Sequence, residues 1–252
     1  MARQKGIIQL EGTLGDINFY FRKGKPVARK AGGGFNAKNI KTSATMVRVR
    51  ENNTEFGNSS KVKKVFKLSL HPFLNAYKEG ALHGRMMQLM QNIKMFDTVS
   101  ERGKRTVGNG IQTPMGKIAF QQFLFTPKCA ISKTLMATAS FDWENFRYTV
   151  SGFKGSRVRF PVSATHFELS FGVLCFDFNT LDYLLFMGSP LLIARDSIAD
   201  TFSLQPTHLP DTKGMQFAFV GLKFFQEVNG IMYLLQEEGA IGLELIGMKE
   251  GL

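Results

Sequence analysis

Cysteine, histidine and tryptophan are scarce in this chain: two, four and one among 252 residues. Cys129 and Cys175 have no CxxC spacing and no histidine pair nearby, which excludes a disulfide framework and the common zinc patterns. Cys175 falls within an apolar strand pattern and reads as a buried free thiol, and two free thiols fit a reducing compartment. His71, His83, His166 and His208 are far apart in sequence, with no HExxH or HxH, so no local metal motif exists. No GxSxG elbow occurs. Gly103-Lys104-Arg105-Thr106 lacks the Walker spacing, and Gly32-Gly33-Gly34 is not a GxGxxG but a linker. Asp142 and Glu144 flank Trp143 and read as the solvated side of a strand edge. These absences point away from an enzyme, and no cofactor or metal is expected.

Long apolar runs are missing as well. The most apolar stretch, 181–194, contains Asp182, Gly188 and Pro190, whereas a membrane span needs about 20 apolar residues. The first apolar run stops at Leu10, too short for a signal peptide, so a cytoplasmic location is expected, or a virion if the chain is phage-derived.

Two features are abundant. Phenylalanine supplies 24 residues, a bias toward a β-rich core. Positive charge is plentiful but uneven: residues 1–128 carry a net +16 and residues 129–252 a net −4, within a total of +12. Such asymmetry suggests two functional regions. A basic half can meet nucleic acid, an anionic surface, or the acidic half of another copy.

The hydrophobic period changes along the chain. Ile7 to Leu10, Ile17 to Phe21 and Pro26 to Arg29 read as short strands, with turns at Glu11–Asp16 and Arg22–Lys25. From Ser43 the spacing is helical. One segment to Phe56 is expected to break at Gly57-Asn58-Ser59-Ser60, and a second is expected to carry Val62, Val65, Phe66 and Leu70. Pro72 predicts a kink or stop. Leu82, Met86, Leu89, Met90, Ile93 and Phe96 predict a helix over about 81–97. Ser100–Gly110 reads as a basic loop, and Thr113-Pro114 as the cap and first residue of a short helix to about Leu124.

From about 138 the period is two. Phe167, Leu169, Phe171 and Val173 alternate, then Leu174, Phe176 and Phe178, a slip that suggests a β-bulge near Gly172. Asn229-Gly230 between apolar runs predicts a two-residue type I′ hairpin. Seven to nine strands in about 115 residues suit a sandwich, immunoglobulin-like or jelly-roll. The expected fold is therefore α+β. A basic β-hairpin arm and linker occupy 1–42, a basic helical region 43–127 and an antiparallel β-sandwich 135–252.

The opening Ala2-Arg3-Gln4-Lys5-Gly6-Ile7-Ile8-Gln9-Leu10-Glu11-Gly12-Thr13-Leu14-Gly15-Asp16, with Phe19-Tyr20, Arg29, Arg50-Glu51-Asn52 and Glu55-Phe56-Gly57, resembles a set of uncharacterised Bacteroidota proteins over roughly residues 1–110. That family has no established activity. The resemblance implies a bacterial or bacteriophage setting and a shared front end on a variable β-rich tail.

The leading functional expectation is a structural, self-assembling homo-oligomer, in a ring, tube, filament or virion-like form. Ile7, Ile8, Leu10, Ile17, Phe19 and Phe21 of the arm are its candidate contacts, because strands with no local core are templates for pairing. The alternative is non-specific nucleic-acid binding. Its candidate contacts are Arg22, Lys23, Lys25, Arg29 and Lys30 in the arm, with Arg48, Arg50, Lys61, Lys63, Lys64 and Lys67 on the helices.

Overall fold

A computed structural model describes residues 2–6, 8–31, 36–78, 80–208, 214–237 and 239–251. The chain forms two compact units, Met1–Thr54 and Glu55–Leu252. Ile7 and Gly32-Gly33-Gly34 lie outside the described residues.

The first unit holds strands β1 (Ala2–Arg3), β2 (Gly12–Leu14), β3 (Ile17–Arg22) and β4 (Lys25–Lys30), ordered β1-β4-β3-β2 and antiparallel throughout. The β3–β4 turn is Lys23-Gly24, both at positive φ (51° and 72°), as a type I′ turn requires. The expected strand at 7–10 is displaced: residues 8–10 form no strand, and β2 falls inside the expected Glu11–Asp16 turn. The side-chain amide of Gln4 explains this, since it accepts from the Leu10 N–H (2.9 Å) and donates to the Leu10 carbonyl (3.2 Å). Leu10 thus satisfies its backbone on a side chain instead of a ladder. A short helix α1 (Ala37–Thr42) follows, capped by Asn36.

Helix α2 (Val47–Ser69) carries the chain from one unit into the next without the expected interruption at 57–60. Ser59 is buried and donates to the Glu55 carbonyl (2.9 Å), bonding within the helix instead of capping a new one. A lone glycine such as Gly57 costs a helix only about 1 kcal/mol. Pro72 does end it: α3 (His71–Leu74) is a separate turn with proline in its first positions.

Within the second unit, α4 (Leu82–Met95), α5 (Val107–Gln112) and α6 (Pro114–Gln121) pack together. Helix α5 lies partly in the expected 100–110 loop. Thr106 caps it, accepting from Asn109 N–H (3.1 Å). Gly110, which reads as a breaker, is a contact residue: a Cβ there would sit 2.0 Å from the Ile93 carbonyl oxygen. Thr113 caps α6 as expected, accepting from Gly116 N–H.

After α7 (Ile131–Leu135) come β5 (Thr138–Asp142), β6 (Arg147–Ser151), β7 (His166–Phe176), β8 (Tyr183–Met187), β9 (Leu191–Ala194), β10 (Phe202–Leu204), β11 (Met215–Val228), β12 (Ile231–Leu234) and β13 (Ile241–Glu250). Two antiparallel sheets result. In the larger, β11 pairs with β7 on one side and with β13 then β12 on the other, while β8 and β9 pair with the outer side of β7. The smaller is β10-β6-β5. The sheets face each other across Phe167, Leu169, Phe171, Val173, Val220 and Phe224, with Tyr148 and Val150 opposite, a sandwich-like arrangement. The fold is α+β.

Helices cover the other face of the large sheet. Phe66 of α2, fully buried, meets Phe120, Phe176, Phe178 and Phe217 at ring distances of 5.1–6.1 Å. The helices of 55–121 and the strands therefore share one core, and the change of period near 135 is not a break in packing.

The expected bulge near Gly172 is absent: β7 and β11 pair in unbroken register from His166 to Phe176. Odd residues of β7 face the small sheet and even ones face the helices. The apparent slip is the point where the second face also becomes apolar. Gly172 and Gly221 instead make room for the Phe73 ring, which a Cβ would meet at 3.2 Å and 2.6 Å. The irregularity lies in β13, where Ala218 pairs with Gly247 and Phe219 with Leu245. Asn229-Gly230 is a tight hairpin, both residues at positive φ (53° and 79°), with Val228 opposite Ile231.

Candidate assembly surface

Pairing register sorts the N-terminal sheet into two faces, because directly opposed residues of antiparallel strands point the same way and neighbours alternate. One face carries Leu14 with Ile17, Phe19 with Ala28, and Phe21 with Pro26. Leu14, Ile17 and Phe21 are 70%, 45% and 44% exposed, and Phe19 is half-buried. Lys30, opposite Ile17, is the one charge on this face among the described strand residues. The other face carries Arg3, Asn18, Tyr20, Arg22, Lys25, Val27 and Arg29, with the Arg29 guanidinium 5.6 Å from the Tyr20 ring centroid. Val27 is the single buried hydrophobic residue described in this sheet.

The expected contacts therefore divide. Ile17, Phe19 and Phe21 share the apolar face. Ile8 and Leu10 are exposed but lie outside the strands. Among the cations, Arg22, Lys25 and Arg29 share the polar face, Lys23 sits at the turn, and Lys30 falls on the apolar side. Leu14 carries no strand signal in the sequence, because it lies among the turn-forming residues of Glu11–Asp16.

The helical cations do not form one patch. Lys61, Lys64 and Lys67 are exposed. Arg50 donates to the carbonyls of Ile40 and Ser43, both at 2.8 Å, and so closes the end of α1. Arg48 pairs with Glu51 at 3.0 Å. Lys63 is buried, its ammonium 3.1 Å from His83 Nδ1; burial, reinforced by the charge of Lys67, pushes its pKa down. Lys63 cannot serve as a surface contact for an anion.

The strongest charge cluster of the second unit is internal. Glu55 is fully buried and accepts from Lys94 Nζ (2.7 Å), Arg105 Nε (2.9 Å) and Nη2 (3.0 Å), and Gly103 N–H (2.7 Å). Burial pushes its carboxyl up, but these donors outweigh burial and hold it at about 2. Asp97 follows the same logic, also near 2: burial opposes ionisation, while Val99, Ser100 and Thr106 N–H and the Asn109 amide favour it. Together the two carboxylates fix the 97–106 connection between α4 and α5. Sequence reasoning missed both, since a lone acid in a basic region gives no periodic signal.

Among the described residues no group of three His, Cys, Asp or Glu side chains could hold a metal. Asp142 is occupied by its own turn, accepting from Glu144 N–H (2.8 Å) and the Asn145 amide (2.7 Å). A cavity of about 520 Å³ between α4 and α6 is walled by Arg85, Leu89 and Phe123, and Arg85 donates to the Leu124 and Phe125 carbonyls. Both cysteines are buried and neither is in a disulfide, and burial pushes the Cys129 thiol up to about 11. Among the described residues no helix is long and apolar enough to cross a membrane. Comparison with family models, with curated proteins and with solved structures finds no match to this chain.

Proposed function

We propose that this chain is a self-assembling structural protein, its N-terminal sheet docking on a neighbouring copy. The observation that carries the reading is the two-sided sheet, with Leu14, Ile17, Phe19 and Phe21 on one face whose single charge among the described strand residues is Lys30. A small sheet without a core needs a partner for stability, and open edge strands supply a template for one. The charge difference between the halves guides the encounter of cationic arm and acidic tail, acting more on association rate than on final stability. Sedimentation velocity on face-specific variants tests the reading. Ile17→Ser with Phe21→Ser is expected to shift the protein to smaller species, while Arg22→Ser with Lys25→Ser and Arg29→Ser slows association and leaves the final assembly largely intact. The reverse pattern would contradict it.

One observation favours a second reading. Arg3, Arg22, Lys25, Arg29 and Tyr20 on the opposite face combine cations with a ring suited to single-stranded nucleic acid. Fluorescence anisotropy with labelled oligonucleotides would then show sequence-independent binding that weakens steeply with salt. No binding at low salt removes it.

A further inference from the structure

We propose that one end of the β-rich unit, formed by residues 152–165 and 195–200, is a docking surface for a bilayer rich in anionic headgroups. The two loops are held side by side. Phe153 N–H donates to the Asp200 carbonyl (2.9 Å), and Arg195 N–H donates to the Thr165 carbonyl (2.8 Å). Gly155 packs so close to the second loop that a Cβ would lie 2.5 Å from the Arg195 carbonyl oxygen. The Arg195 guanidinium covers the Phe160 ring at 5.3 Å. The geometry of both tips is therefore set by backbone contacts.

Each tip presents a fully exposed aliphatic side chain, Val162 on one loop and Ile198 on the other. The β11–β12 hairpin reaches the same end, since Glu227 N–H donates to Thr165 Oγ1 (2.8 Å), and it adds exposed Val228 and Ile231. Around the tips stand Lys154, Arg157, Arg159 and Arg195, all exposed. They are four of the nine cations in an otherwise acidic half, and residues 152–165 contain no acid at all. Asp196, Asp200 and Glu227 are the acids at this end, leaving it net positive.

Between the loops opens a cavity of about 490 Å³ walled by Phe153, Lys154, Arg195, Asp196, Ile198 and Asp200; its two acids balance its two cations, so the net positive charge of this end comes from Arg157 and Arg159 outside it. Single exposed aliphatics are ordinary; four exposed apolar side chains at one net-positive end of the acidic sequence half are not. Aliphatic side chains gain by entering the acyl boundary, and each nearby cation strengthens binding to an anionic leaflet roughly five-fold.

The test uses the full chain and vesicles of phosphatidylglycerol mixed with phosphatidylcholine, against phosphatidylcholine alone. Because both native thiols are buried, Ile198→Cys can be labelled selectively with an environment-sensitive fluorophore. Phosphatidylglycerol vesicles are expected to shift its emission to the blue, and pure phosphatidylcholine vesicles to leave it unchanged. In co-sedimentation, Val162→Ser with Ile198→Ser is expected to weaken binding at least ten-fold at unchanged net charge, and Arg157→Ser with Arg159→Ser is expected to weaken it and flatten its salt dependence. No binding at low salt overturns the proposal. So does binding that the serine pair leaves intact, which would assign the contact to the basic N-terminal half.

Discussion

Replacing Glu55 by Gln keeps the volume and the acceptor for Gly103 N–H but deletes the charge. The consequence follows from burial. Glu55 is 0% exposed, while the Lys94 and Arg105 side chains that converge on it are only 7% and 17% exposed. After the substitution two largely buried cations have lost the carboxylate on which both converge. Removing one member of a buried ion pair typically costs about 3–5 kcal/mol, because the charge left behind stays desolvated. The expected result is a loss of that size in urea unfolding, read as a lower midpoint at an unchanged m-value.

The same site sets the acid limb of stability. Glu55 and Asp97 are both held near 2, below their ordinary 4.5 and 3.8. The unfolded chain therefore takes up protons first, and the stability these groups contribute, present above about pH 4.5, is lost as pH falls toward 2. Glu55→Gln should also make the acid limb shallower. A loss below about 1 kcal/mol, the range of a solvent-screened pair, would refute the reasoning.

Three further outcomes are expected. Phe66→Ala removes the ring at the centre of the helix–sheet core and should destabilise the second unit by about 3–5 kcal/mol in urea melts. Gly230→Val forces a β-branched residue to φ 79° in the β11–β12 turn and should cost about 1–3 kcal/mol, visible as a lower melting temperature. Lys63 has its pKa lowered by burial, so the unfolded state holds its proton longer as pH rises. The Lys63 contribution to stability should rise with pH below the ordinary lysine value of 10.5, and Lys63→Met should flatten that rise in urea titrations at pH 7 and 9.5.

Where a single local rule decides, the sequence was readable. Asn229-Gly230 and Thr113-Pro114 carry their turn and cap in the residues themselves. The 81–97 helix followed from unbroken spacing, and the α+β class from the change of period. The failures have a common cause: a specific side-chain contact, near or far in sequence, overrode the propensity signal. Gly57 and Ser59 look like a break until Ser59 is buried against α2's own backbone. Gly172 looks like a bulge until Phe73 is seen to need the space. The 7–10 strand yields to one Gln4 side chain. At the candidate surface, alternation marked Ile17, Phe19 and Phe21, but the register that adds Leu14 and separates Lys30 from Arg22, Lys25 and Arg29 depends on which turn closes each hairpin. The cations on α2 were legible as residues, not as roles, because Lys63 and Arg50 are committed inward by partners 20 and 10 or fewer residues away.

The most direct test of self-assembly is the mass of the intact protein in solution, by light scattering coupled to size exclusion at tens of micromolar. If the apolar face of the N-terminal sheet docks on a neighbouring copy as proposed, the expected mass is a multiple of 28.2 kDa that falls when Ile17 and Phe21 are both replaced by Ser. A steady 28.2 kDa across the concentration range, unmoved by those substitutions, would contradict it.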